Sequence, residues 1–288
     1  MKLKLLAGLL LLAAPAAAQQ PGPPRLIVAI SVDQLSADLF AQYRQHFTGG
    51  LRRLSQGIVF PSGYQSHAAT ETCPGHSTIL TGARPARTGI VANNWYDLNA
   101  ARPDKYIYCA EDERAPGSSS ANYTVSPVHL RVPTLGDLMR RADPRSRVVA
   151  VAGKDRAAVM MGGHAPDQRW WWQDGVFVSH AGVAPPAPVR EANARVADAL
   201  ARAREPMALP DLCAPRSRAV AVPGRAISVG TGRFARPAGD KAAYRASPEY
   251  DYAVLALAHA FRNRMRLGQG PATDLLAIGL SATDYVGH

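Results

Sequence analysis

The chain is short of cysteine, short of acid and short of long apolar runs. Each shortage narrows what it can be. Three cysteines, Cys73, Cys109 and Cys213, allow one pair and one free thiol. Beyond Leu5–Leu12, no stretch approaches the length of a membrane helix. Asp and Glu number 22 against 33 Lys and Arg, a formal charge of +11. Arg dominates the excess and is scattered, the pattern of a solvated surface that also attracts anions. No basic run is interleaved with aromatics, which argues against nucleic acid as a partner. His67, His76, His129, His164, His180 and His259 have no metal-like spacing among themselves. There are no internal repeats.

The start of the chain reads as a segment for export. Lys2 and Lys4 precede the apolar run, and Ala16-Ala17-Ala18 offers a small-residue cleavage site. Residues 1–18 are therefore expected to be a signal peptide, and 19–25 a Pro-rich leader. The expected location is periplasmic or secreted, with no membrane attachment after cleavage. Export permits a disulfide. A Cys73–Cys109 bond would pin the helix described next to the segment after it, but the spacing does not choose among the pairs. Cys73 at a helix start would also suit a reactive thiol.

Thr70 to Gly82 carries the most information. It predicts a short helix with Thr72 at or beside the N-cap, Pro74 in the first turn and Gly82 at the stop. A hydroxyl there lies at the positive end of the helix dipole, where an attacking oxygen or a phosphate is stabilised. A lone Thr would do no more than cap, so other residues must carry the argument.

Those residues come from the strands. Leu26–Val32, Val148–Ala152 and Leu275–Leu280 are continuous apolar runs of the kind that form buried parallel strands. Helices are expected from Ser36 to a stop at Gly49-Gly50, from Thr134, over 188–205, and from Ser247 to Gly268. Ile58–Phe60 is expected as a further strand. The alternation gives an α/β fold with a largely parallel sheet flanked by helices. Residues 92–130 read as an irregular excursion, and about 160–245 as an insertion or cap that includes Trp170-Trp171-Trp172. The three main strands end in Asp33, in Lys154 with Arg156, and in Asp284 with His288. Ligands bind outside the carboxyl ends of the strands in such sheets, so these clusters are expected to converge. Asp284 and His288, four apart on a helical turn, suit a metal. Lys154 and Arg156 in extended chain would point the same way, about 6–7 Å apart, and suit a phosphate. The Asn93 amide is a neutral donor for a phosphoryl oxygen.

In this order the residues resemble the type I phosphodiesterase/nucleotide pyrophosphatase family of the alkaline phosphatase superfamily, in particular its exported bacterial phosphatases with a Thr nucleophile. The resemblance rests on Val32-Asp33-Gln34, Thr72-Cys73-Pro74-Gly75-His76, Gly89 to Asn94, Gly153 to Arg156 and Asp284 to His288. It implies an alkaline-phosphatase-like fold and hydrolysis of small phosphate monoesters through a phospho-threonine intermediate. It implies Thr72 as nucleophile and Asn93, Lys154 and Arg156 as phosphoryl-binding residues. Two Zn2+ ions are implied, one held by Asp33 and Thr72, the other by Asp284 and His288. Relatives of this kind supply further ligands downstream, so residues 26–288 are expected to be the N-terminal part of the catalytic domain, inactive alone. A nucleotide pyrophosphatase/phosphodiesterase of the same family and an inactive anion-binding fragment are the alternatives.

Overall fold

The computed structural model describes residues 22–61, 63–224 and 228–288. The expected signal peptide and the first residues of the leader lie outside them. In chain order the elements are β1 (Leu26–Val32), α1 (Ala37–Tyr43), α2 (Gly49–Ser55), α3 (Thr72–Thr81), α4 (Pro85–Thr88), β2 (Asn94–Tyr96), β3 (Tyr106–Tyr108), α5 (Leu135–Ala142), β4 (Val148–Ala152), α6 (Asp155–Gly162), β5 (Gln168–Gln173) and β6 (Val176–Val178). Then follow α7 (Ala187–Ala201), β7 (Val220–Ala221), β8 (Ser228–Val229), α8 (Lys241–Arg245), α9 (Pro248–Arg264), β9 (Asp274–Leu280) and α10 (Ala282–Gly287).

The central sheet runs β1-β9-β4-β5-β6, parallel except for the β5–β6 hairpin. This is the expected α/β architecture. Its centre is dry because β4 and β9 carry apolar side chains on both faces, and every residue of β4 is buried. Register fixes the geometry of the site. Val32 pairs with Leu280 and Ala152 with Gly279, so β1, β9 and β4 end side by side. Helix α6 can lie close over that end because Gly279 has no side chain; a Cβ there would stand 2.9 Å from the Ala152 Cβ and 3.1 Å from that of Ala157.

One face of the sheet is covered by α7 and α9. Val189, Ala192 and Val196 of the first and Tyr250, Val254, Leu257 and Phe261 of the second pack on Val149, Val151, Leu276 and Ile278. Each helix starts with a Pro in its first turn, and Ser247 caps α9 by accepting the Glu249 N–H. Arg262 and Arg264 lie in the last turn of α9, at the negative end of its dipole. On the other face, Leu80 of α3 and Met161 of α6 pack on Val148, Ala150, Leu275 and Ala277. Helix α5 carries a full capping box, Thr134 and Asp137 each bonding the other's backbone N–H.

Three expectations need correction. Gly49-Gly50 does not end a helix: α1 gives way to a single 3-10 turn at Arg44–His46, and Gly49, with φ of +54°, opens α2. Ile58–Phe60 is not a strand; three apolar residues found no neighbour to pair with, and Ile58 and Phe60 are exposed. The 160–245 stretch is not wholly an insertion, since β5 and β6 belong to the central sheet. Trp170, Trp171 and Trp172 are buried residues of β5. The excursion over 92–130 contains the small β2–β3 ribbon.

Candidate active site

Asp33 stands one residue past β1, where its N–H donates to the Leu280 carbonyl at 2.9 Å. Gln34 then takes a φ of +61°, the left-handed region that non-glycine residues seldom occupy and that is often found beside functional groups. Thr72 is the first residue of α3, with Glu71 in the N-cap position. Its side chain is buried and donates from Oγ1 to Asp33 Oδ2 at 3.1 Å.

Two devices fix the start of α3. Asn93 Oδ1 accepts the Cys73 N–H at 2.8 Å, and Glu71 Oε2 accepts the Asn93 N–H at 2.5 Å. Covalently, Cys73 is bonded to Cys109, just past β3, with a Cα–Cα distance of 6.5 Å, which leaves Cys213 as the free thiol. Asn93 thus spends its acceptor on the helix, leaving its NH2 as the donor. His76, fully buried one turn on, hydrogen-bonds the Thr72 carbonyl through Nδ1 at 2.8 Å. Burial pushes its pKa down, against the pull of the nearby Asp33 carboxylate, which favours a neutral ring.

Lys154, the residue before α6, is almost wholly buried. Its ammonium donates to Asp33 Oδ2 at 2.8 Å and also to Asp284 Oδ2. The ring of Tyr285 lies 5.0 Å from the same nitrogen. One cation therefore joins the two carboxylates that end β1 and follow β9. For Asp33, burial favours the neutral acid. The Lys154 charge and the hydrogen bonds from Lys154 and Thr72 outweigh it and hold the carboxyl below its ordinary pKa. Removing Lys154 would leave two acids close together without their shared counter-charge, the costly way to break a buried ion pair.

The extended geometry expected for Lys154 and Arg156 does not form, because Arg156 is already in the first turn of α6. Both still line one cavity of about 140 Å³ at the carboxyl end of β4. Gly153 in its wall must be glycine, since a Cβ there would meet the Tyr250 ring at 2.7 Å. Arg156 Nη1 lies 3.5 Å from the Tyr108 hydroxyl. That hydroxyl donates to Asp155 Oδ1 at 2.6 Å, and Tyr123 donates to Oδ2 at 3.0 Å. Asp155 is thus satisfied by phenols and does not neutralise Arg156 directly. His288 is the outlier. It stands 3.8 Å from Asp284 through Nδ1, and its side chain is 72% exposed.

The structure therefore gathers Asp33, Thr72, Lys154 and Asp284 into one hydrogen-bonded cluster, adds Asn93 and Arg156 at its margin, and leaves His288 outside. Three contributors had no signal in the sequence. Asp251, in the first turn of α9, accepts the N–H groups of Ser281 and Ala282 at 2.8 and 3.0 Å and so positions α10. Tyr285 places its ring beside Lys154. Glu71, at the N-cap of α3, proves to be the anchor of Asn93.

As a metal centre the described residues are incomplete. The oxygen donors of Asp33, Thr72 and Asp284 are of the right chemistry, but no three potential ligands among His, Cys, Asp and Glu cluster together among the described residues. A Zn site draws on three or four protein ligands. Asp33 with Thr72, and Asp284 with His288, supply two each.

Residues 27–288 match the family described as type I phosphodiesterase / nucleotide pyrophosphatase, and the chain belongs to it. It is 60% identical over 268 residues to alkaline phosphatase PhoK of Sphingomonas sp, covering 92% of this chain and 48% of that protein. It is 48% identical over 267 residues to alkaline phosphatase PhoD of Zymomonas mobilis, covering 92% and 46%. The solved structure of wild-type alkaline phosphatase PafA superposes with a TM-score of 0.76 at 26% identity, covering 92% of this chain and 54% of PafA. The fold is thus alkaline-phosphatase-like, and the chain spans about half the length of the curated relatives it matches. No helix among the described residues is long and apolar enough to cross a membrane.

Proposed function

We propose that residues 26–288 form the nucleophile-bearing part of an exported alkaline phosphatase that hydrolyses small phosphate monoesters through a phospho-threonine intermediate. The observation that carries this reading is the Thr72 hydroxyl, buried at a helix start and hydrogen-bonded to a carboxylate kept ionised. Asp33 aligns the hydroxyl. The N-terminus of α3 favours negative charge on the attacking oxygen. The Thr72 oxygen, its proton given up to solvent, bonds to phosphorus as the ester oxygen leaves and takes a proton from water. A second water then cleaves the Thr–O–P bond to release phosphate and restore the hydroxyl. Asn93 NH2, Lys154 and Arg156 hold the phosphoryl oxygens. To do so Lys154 must turn part of its hydrogen bonding away from the two carboxylates. In the complete protein, Asp33 with Thr72 and Asp284 with His288 would each contribute two ligands to a pair of Zn2+ ions, the rest coming from the half of the relatives' length not covered here. Such ions lower the pKa of a bound oxygen and stabilise both oxygens of an in-line displacement.

In the complete enzyme, Thr72→Ala is expected to lower turnover of p-nitrophenyl phosphate at alkaline pH by about a thousandfold or more, and to abolish trapping of phosphate on the protein. Unchanged turnover would refute the mechanism. The two guanidinium and ammonium donors of Arg156 and Lys154 favour a dianionic monoester over a diester. Losing both in a Lys154→Ala, Arg156→Ala double variant should lower the ratio of monoester to diester hydrolysis. A ratio that stays put would favour the phosphodiesterase reading.

A further inference from the structure

The cavity beside Lys154 and Arg156 is lined by residues that carry buried donors with no protein acceptor among the described residues. Arg245, the last residue of α8, reaches into it. Its guanidinium lies 4.9 Å from the Tyr285 ring centroid and 6.0 Å from that of Trp172, held by stacking rather than by a carboxylate. Its Nε is buried without a hydrogen-bond partner among the described residues. So is Nε of Arg156, and so is the indole Nε1 of Trp172, and all three residues line this one cavity. Buried polar atoms are nearly always paired, so unpaired ones require a reason. Here all three are donors, and two are cationic. The local acids do not answer them. Asp155 is occupied by Tyr108 and Tyr123, and Asp174 is exposed at the β5–β6 turn. About 140 Å³ equals about ten water-sized spheres at roughly 10–15 Å³ each, more than one phosphoryl group needs.

We propose that this cavity is a second anion subsite, in which Arg245 and the Trp172 indole bind a phosphoryl or carboxylate group of the same substrate whose reacting phosphate lies on Lys154 and Arg156. The proposal rests on the phosphatase reading and adds a substrate class to it: monoesters and anhydrides that bear a second negative group close to the reacting phosphorus. Arg245 is a specificity residue, and no bond is made or broken at it.

The test is calorimetric, so it needs no turnover. Orthophosphate, pyrophosphate and phosphoglycolate are titrated into the complete, metal-loaded enzyme carrying Thr72→Ala. The doubly anionic ligands should bind at least about tenfold more tightly than orthophosphate, the effect of one charge-assisted hydrogen bond. Adding Arg245→Ala should reduce that preference about tenfold, and Arg245→Lys should reduce it less. A preference for pyrophosphate alone assigns the subsite to a phosphoryl group, and one for phosphoglycolate alone to a carboxylate. If neither ligand gains over orthophosphate, or if the gain survives both Arg245→Ala and Arg245→Gln, the subsite does not exist. If Arg245→Ala fails to fold, the Lys and Gln variants carry the same comparison. Arg245-dependent pyrophosphate binding, with no monoester turnover by the complete enzyme that keeps Thr72, would sink the phosphatase reading and leave the subsite standing.

Discussion

The two flanks of the sheet differ in how far they are closed. On the β4–β5 flank, α9 buries Tyr250, Val254, Leu257, Ala258 and Phe261, and β4 is buried throughout. On the β1 flank, neither α1 nor α2 buries a single residue, and Val28 and Ile30 of β1 are 47% and 44% exposed. Among the described residues, strand β1 pairs only with β9 and offers its other side as an open edge. The candidate site straddles this divide. Lys154 and Asp284 follow the buried strands β4 and β9, and Thr72 comes from α3, which packs on those strands, whereas Asp33 follows the half-open β1. The candidate site therefore draws on one closed and one open support, joined by the Lys154 ammonium.

Mutations should register the inequality. Phe261→Ala, in the core under α9, is expected to cost about 3–5 kcal/mol of unfolding free energy in denaturant titrations. A cost below 1 kcal/mol would mean that this flank is not closed as described. Removing the Cys73–Cys109 bond by a double Cys→Ser change should cost about 3–4 kcal/mol, because the two residues are 36 positions apart. It should also lower phosphatase rate more than a change at the free Cys213 does. Leu54→Ser, on the open flank, should stay within about 0.5 kcal/mol.

Acid should test the α5 cap, which sits on the closed flank. Burial would raise the Asp137 carboxyl, but the hydrogen bonds from His164 and Thr134 more than offset it, so its pKa is lowered in the folded protein. A lowered carboxyl stabilises the fold above its unfolded value near 4, and that contribution disappears as pH falls through the folded pKa. Melting temperature should therefore fall more steeply below about pH 4 in the wild type than in Asp137→Asn. Parallel acid limbs would show that this carboxylate is not part of the acid sensitivity.

How much of this was legible in the sequence depended on what kind of signal each residue gave. The strands β1, β4 and β9 were plain, because apolar runs bounded by polar residues have few other uses. Their carboxyl ends then placed Asp33, Lys154 and Asp284 together before any coordinate did. Strand β5 was hidden, since Gln168 and Arg169 precede its three tryptophans and its apolar core is too short to announce itself. Arg169 is buried there against the Gly163 carbonyl and His180, a tertiary solution that local pattern cannot show. The opposite error occurred at Ile58–Phe60, where apolar residues suggested a strand and no partner existed. Within the site, side-chain identities were readable but their partners were not. Lys154 was readable as a cation at the end of β4, but its bridge between two carboxylates was not. Asp251 and Tyr285 act through contacts between elements far apart in the chain.

The link between Cys73 and Cys109 has a consequence for where this machinery can work. It fastens the residue next to Thr72, so the setting of the hydroxyl is tied to the redox state of its surroundings. Oxidised, the bond holds the start of α3 covalently; reduced, that start keeps only its hydrogen bonds to Asn93, His76 and Asp33, so an oxidising setting favours a fixed Thr72 hydroxyl.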